Sequence, residues 1–243
     1  MTVTGGPGPV RAAVVSDLFT DAVVYELWGD GDEALLHPEE AVLVASAVAN
    51  RRQQFAAGRA CARRALADLA LEDRPLMVGD RRSPRWPEGV TGSISHTEGY
   101  AVAVVARLGG GHGTGRDAAS GELPVRTVGI DAERCGRVSD DLHGRLFLDP
   151  ERERMAGLSA QDRAEMATVM FGAKEAFYKA QFPITGDWVG FHDVELRPDG
   201  DELTLHPASD LETLARFRWP LRARTVVRRG IAVTGVEAVV PHL

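Results

Sequence analysis

The chain of 243 residues, 44% hydrophobic and 26% charged, is long enough for one large domain or two modest ones with their own cores. No stretch approaches the roughly 20 apolar residues of a membrane-spanning helix, and the N-terminal MTVTGGPGPVR lacks the basic start and apolar run of a secretory signal, so a cytoplasmic protein without a membrane partner is expected. The net charge of −7 weighs against nucleic acid as a partner, because a phosphate backbone rewards a basic surface.

Residues 1–11 are rich in glycine and proline and read as a loose lead-in. AAVVSDLF and AVVYELWG follow as strand-like apolar runs. From Pro38 to about Leu71 the chain is helical in character, opening on HPEEA with proline and acids in the first turn. RRSPRWPEGVTG is a broken loop. SISHTEGYAVAVVARL turns at Gly99 into AVAVVA, a run suited to a buried strand. The glycine-rich residues 109–123 form a loop, TVGIDAER resumes a strand, and a helical region runs from about Asp140 to Gln181. GFHDVELRPDGDELTLH predicts a hairpin turning at Asp199-Gly200, and TVVRRGIAVTGVEAVV further strand. Strands, helix, then strands occur twice, which predicts a mixed α+β fold of two similar subdomains, 12–118 and 119–243. FAAGRACAR (from Phe55) and FGAKEAFYK (from Phe171) give a faint echo of duplication.

Two segments, 51–64 and 216–229, hold five and six arginines with no acid, a pattern suited to an anionic ligand or partner, or to solvated faces. With no CxxC and no histidines at ligand spacing, zinc is disfavoured, and Cys61 and Cys135 are expected as free thiols.

Residues two apart on a strand share a face, so Asp131 and Glu133 of GIDAE project together. Paired carboxylates repel unless a cation or a proton intervenes, and magnesium suits oxygen ligands. A solvent-facing strand edge is the bland alternative. Glu175 and Lys179 share one helix face as either an exposed ion pair or a functional one. The apolar Met170, Phe171, Phe177 and Tyr178 around them argue for a buried helix, where charges need partners. Ser95 and His96 offer donors for phosphate oxygens. As neighbours on a strand they point to opposite faces, which argues against a nucleophile–base pair. Arg51 and Arg59 on the arginine-rich helix, with Arg82 on the loop, suit phosphate through paired hydrogen bonds.

Through RRQQFAAGRACARRAL, PRWPEGVTGSISHTEGYAVA, VGIDAER and FGAKEAFYKA, in that order over about residues 50–180, the sequence resembles the phosphopantetheinyl transferases. The likeness is to the monomeric branch of surfactin-type and enterobactin synthase component D-like enzymes, whose spacing the 42 positions from Glu133 to Glu175 approach. The resemblance implies a pseudo-dimer of two α/β subdomains with coenzyme A in the cleft between them. It implies magnesium on Asp131, Glu133 and Glu175, with Lys179 facing the diphosphate and Lys174 beside it. Arg51, Arg59 and Arg82 would hold phosphates or the adenine end, and Ser95 and His96 the 3′-phosphate or diphosphate. The implied reaction moves 4′-phosphopantetheine onto a serine of an apo acyl or peptidyl carrier protein and releases adenosine 3′,5′-bisphosphate. Glu175 would accept the serine proton and Lys179 assist the leaving group. The loop at 109–123 is longer than the family's usual turn. Carriers are usually acidic, so a basic or apolar patch should receive one, with the arginines at 216–229 a candidate. A different nucleotide-dependent phosphotransferase is the main competitor, against which the lack of GxxxxGK[ST] counts.

Overall fold

The computed structural model describes residues 8–108 and 125–241. The first half runs β1 (Val10–Arg11), α1 (Ala13–Ser16), β2 (Val23–Trp28), α2 (Pro38–Val44), α3 (Ala49–Asp68), β3 (Val90–Thr97) and β4 (Tyr100–Arg107). Its sheet has the order β1-β2-β4-β3, antiparallel throughout. The second half runs β5 (Val125–Arg134), α4 (His143–Leu146), α5 (Asp149–Ala156), α6 (Ala160–Thr185), β6 (Val194–Asp199), β7 (Glu202–Pro207), α7 (Glu212–Ala215), β8 (Leu221–Arg228) and β9 (Ile231–Val240). Its sheet has the order β5-β9-β8-β7-β6. Long helix and sheet therefore recur, α3 with β2-β4-β3 and α6 with β5-β9-β8. The boundary expected at residues 118–119 and the loop at 109–123 lie outside the described residues.

Three cores follow from side-chain alternation. Ala101, Ala103 and Val105 of β4 pack under α3, against Ala57, Cys61 and Ala65. Val102, Val104 and Tyr100 point the other way and meet Val128, Ile130 and Val233 of the second sheet. With both faces covered, β4 reads as an uninterrupted apolar run. Phe177 and Met170 of α6 bury against Leu205, Leu221 and Val236. β3 meets β5 through its small polar face: Thr91 bonds Thr127 (3.1 Å), Ser93 donates to the Ile130 carbonyl (3.3 Å), and Ser95 accepts from the Ala132 amide (3.1 Å).

Several expectations shift. AAVVSDLF forms one helical turn rather than a strand. Buried Ala12, Val15, Leu18 and Phe19 recur at helical spacing and fill the space between the sheets, which strand alternation could not do. The helix expected over 38–71 breaks between α2 and α3, where Val48 is extended (φ −64°, ψ 154°). The region 140–181 divides into α4, α5 and α6, and α6 continues past Gln181 through Pro183 to a left-handed Gly186 (φ +70°). The β6–β7 loop is Gly200-Asp201, one residue later than expected, because Asp199 still pairs with Glu202.

The duplication also shows in chemistry. Glu40, in the first turn of α2, accepts from the His37 and Leu76 amides and from Arg63 of α3. Glu151, in the first turn of α5, accepts from the Leu148 and Leu196 amides and from Lys174 of α6. Each carboxylate is fully buried, and each lies 23 residues before its cation. Arg63 is thus the counterpart of Lys174. The sequence echo that aligned Phe55 with Phe171 is out of register by five positions.

Candidate active site

Gly129 lets α6 lie directly on β5, since a Cβ there would stand 1.9 Å from the Ala176 carbonyl oxygen. Two residues on, Asp131 points toward that helix and is almost wholly buried. Lys179 Nζ donates to Asp131 Oδ1 (2.6 Å), Ser95 Oγ donates to the same oxygen (2.9 Å), and Lys179 also reaches Ser95 Oγ (3.2 Å). One cluster therefore joins β3, β5 and α6 where the two halves meet. Asp131 Oδ2 is buried with no hydrogen-bond partner.

The other two carboxylates feel this charge. Burial, then the nearby Asp131, pushes the Glu133 carboxyl up to about 7, against the pull of Arg137 (3.4 Å) and Lys179. Burial and Asp131 also raise Glu175, and Lys179 opposes them. Asp131, Glu133 and Glu175 thus lie within electrostatic reach of one another. Among the described residues, no three acidic, imidazole or thiol groups stand ready-formed around one point. In this arrangement the Lys179 ammonium is the cation that Asp131 holds.

Ser95 and His96 do diverge. His96 turns into the first half, where Arg51 Nη1 donates to its Nε2 (2.5 Å). Burial, Arg51 and Lys179 push the imidazole down to about 4, so it is neutral at pH 7 and accepts that bond. Arg51, Arg59, Arg82 and His96 line one cavity of about 470 Å³, floored by Phe55 and Ile94. Arg59 is buried, with its guanidinium 4.4 Å from the centre of the Phe55 ring and its Nε without a hydrogen bond, 3.7 Å from Glu40. Burial pushes it down to about 10, while Glu40 opposes. Burial, then the charge of Arg82, also lowers Arg51. Several guanidiniums with one shared carboxylate make a cavity that favours an anion.

Lys174 is a correction. Its ammonium is buried and donates to Glu151 (2.7 Å), the Phe191 carbonyl (2.7 Å) and the Leu146 carbonyl (3.2 Å). All three protons are used, so none faces the Asp131 cluster. The 216–229 segment is also largely engaged. Arg222 and Arg224 pair with Glu202, Arg228 with Glu26, and Arg229 lies 4.6 Å from the Trp28 ring centre.

Sequence reasoning missed Arg137 and the aromatic wall beside Glu175, where Tyr178, Trp188 and Phe191 line a pocket of about 80 Å³. Arg81 lies over Trp188 (4.9 Å), which brings the first half onto that wall. In sequence Tyr178 reads only as one of the apolar residues of a buried helix, and Trp188 stands alone with no periodic partner to signal it.

Residues 39–106 match the 4′-phosphopantetheinyl transferase N-terminal domain, and residues 127–224 match the 4′-phosphopantetheinyl transferase superfamily. The 4′-phosphopantetheinyl transferase Svp of Streptomyces mobaraensis is 41% identical over 78% of this chain and 69% of its own. PptT of Mycobacterium tuberculosis, of the same description, is 37% identical over 93% of this chain and 96% of its own. A solved holo-(acyl-carrier-protein) synthase from Bacillus anthracis, in complex with CoA (3′,5′-ADP), overlaps 47% of this chain and 96% of its own at 25% identity and a TM-score of 0.39. Two matches, one falling on each half, and a relative alike along almost its whole length show that the chain belongs to the 4′-phosphopantetheinyl transferase superfamily.

Proposed function

We propose that this enzyme transfers 4′-phosphopantetheine from coenzyme A to a serine hydroxyl of an apo acyl or peptidyl carrier protein, as a cytoplasmic monomer, releasing adenosine 3′,5′-bisphosphate. The observation that carries this reading is the Ser95–Asp131–Lys179 cluster, flanked by Glu133 and Glu175 and lying next to the arginine cavity. His96 and Ser95 sit on opposite faces of one strand, so β3 links cavity and cluster. That suits a ligand with a phosphorylated nucleoside at one end and a diphosphate at the other.

In this reading Arg51, Arg59, Arg82 and His96 bind the 3′-phosphorylated adenosine end, and Lys179 faces the diphosphate. The carboxylates fit a hard divalent ion. Asp131 Oδ2 is buried and unpartnered, and the raised Glu133 and Glu175 mark negative charge in need of a counter-ion. Asp131, Glu133 and Glu175 would hold magnesium, which supplies charge neutralisation at the diphosphate oxygens. Glu175 accepts the proton of the carrier serine as its oxygen attacks the phosphorus bearing pantetheine. The bond from that phosphorus to the departing phosphate oxygen breaks, and Lys179 stabilises the charge left on adenosine 3′,5′-bisphosphate.

Intact-mass measurement of an apo carrier incubated with coenzyme A, magnesium and the enzyme tests the reaction. The expected gain is one phosphopantetheine, about 340 Da as the phosphoryl-transfer reaction requires. An unchanged carrier mass, with coenzyme A shown to bind, would refute it. Glu175→Gln should cut turnover at least about 100-fold, as loss of a positioned base does. Lys179→Ala should cut kcat far more than coenzyme A affinity, and equal losses in both would remove its leaving-group role.

A further inference from the structure

Helix α6 supplies Glu175 and Lys179 from its second half, and its first turns present a different face. Asp162, Glu165, Met166, Val169 and Met170 recur at helical spacing and form one stripe toward the β6–β7 hairpin. Between stripe and hairpin lies a groove of about 630 Å³, with Met155 and Leu203 on its floor. Three of the chain's five methionines line it. Met155 and Met170 are already packed into the core beneath, and the exposed Met166, unbranched and polarizable, is the one left to mould to a docked side-chain ridge. The stripe from Asp162 to Met170 is about 12 Å long at 1.5 Å per residue, room for anchors at i, i+4 and i+7 of a second helix.

The rim decides the charge of that helix. Exposed Asp162 and Glu165 edge the groove on one side and Asp201, in the hairpin loop, on the other. The arginine there, Arg154, is committed to Glu195 and to the Leu196 carbonyl. An acidic rim above an apolar floor repels an acidic carrier and attracts lysine or arginine heads on a helix whose apolar face enters the groove. We propose that this groove docks a basic amphipathic helix of a second protein, at a site separate from the one that receives the carrier.

The probe is a fluorescein-labelled 14-residue peptide of leucine and lysine at helical spacing, with a leucine–glutamate counterpart, read by anisotropy against the full-length enzyme. The lysine peptide should bind saturably and the glutamate peptide should not. The double variant Glu165→Lys, Asp201→Lys should weaken the lysine peptide at least tenfold, and Met166→Asp should weaken it through the floor. The variant Glu39→Lys, Glu88→Lys makes the same charge change on the other half and should leave binding within twofold. Retained phosphopantetheine transfer shows that each variant is folded. Equal weakening by both charge-reversal pairs would reduce the effect to net charge and overturn the proposal, as would an unchanged Kd in the groove variants. Competitive displacement of the peptide by an apo carrier protein would assign the groove to the carrier and overturn it equally.

Discussion

His96 and Glu133 lie on either side of the same cluster and titrate in opposite senses. His96 is held near 4, below its ordinary 6.5, so between those values the unfolded chain binds the proton that the folded chain refuses. Stability from this group is therefore present above pH 6.5 and lost as the pH falls toward 4. Glu133 is held near 7, above its ordinary 4.5, so in its window the folded chain keeps a proton that the unfolded chain has lost. Its contribution is present below 4.5 and is lost as the pH rises to 7. His96→Gln isolates the first effect. Thermal melts should find the variant gaining on the parent as the pH drops from 7 to 4.5, and a pH-independent gap between the two would contradict a buried neutral imidazole. The opposition of Ser95 and His96 was legible in the sequence because strand alternation is geometry. That Arg51 would donate to His96 was not, since nothing local tells which distant cation meets a ring nitrogen.

At the scale of elements, α5 and α6 are joined by Lys174 and Glu151 as α2 and α3 are by Arg63 and Glu40. The motif places Lys174 beside Glu175, and a sequence reader turns both toward the ligand. Neighbours on a helix are about 100° apart, however, and the residue before Glu175 faces α5 instead. A buried cation without its acid is costly, and the acid lies 23 residues upstream in a helix-start signal of its own. Lys174→Met leaves Glu151 without its cation, although two backbone amides still hold that carboxylate. The expected loss is about 3 kcal/mol, or roughly 6–12 °C in Tm for a chain of this size. Folded variant at low temperature should bind coenzyme A as the parent does. A large loss of affinity with an unchanged melt would return Lys174 to the diphosphate. The helix break at 45–48, Ala-Ser-Ala-Val, escaped the sequence reading because nothing there forbids a helix, and packing decided. The break at 157–159 was legible, in Gly157 at the end of α5 and in Ser159, whose side chain caps α6 by accepting from the Asp162 amide.

The two family matches divide the chain, yet the packing does not. Val24, Val102 and Val104 of one sheet share a core with Val128, Ile130 and Val233 of the other. Glu26 of β2 accepts from Tyr100 (2.8 Å) and from Arg228 of β8 (3.0 Å), so a buried carboxylate is satisfied only when both halves are in place. Neither half would keep its inner face dry alone, and exposing that face costs about 25 cal/mol for each Å² of apolar surface. The whole chain should unfold in one calorimetric transition. Ile130→Ala empties space at the centre of the shared core and should cost about 2–5 kcal/mol, lowering that transition without splitting it. Val102→Ala, its neighbour from the first sheet, should act on the same peak. The two effects should fail to add in the double variant, because side chains around one cavity couple. If calorimetry gave two peaks, with Ile130→Ala moving one of them, the halves would be independent domains and the cluster between them a surface contact. A single peak that both substitutions shift ties the geometry of Ser95, Asp131 and Lys179 to the folding of the entire chain.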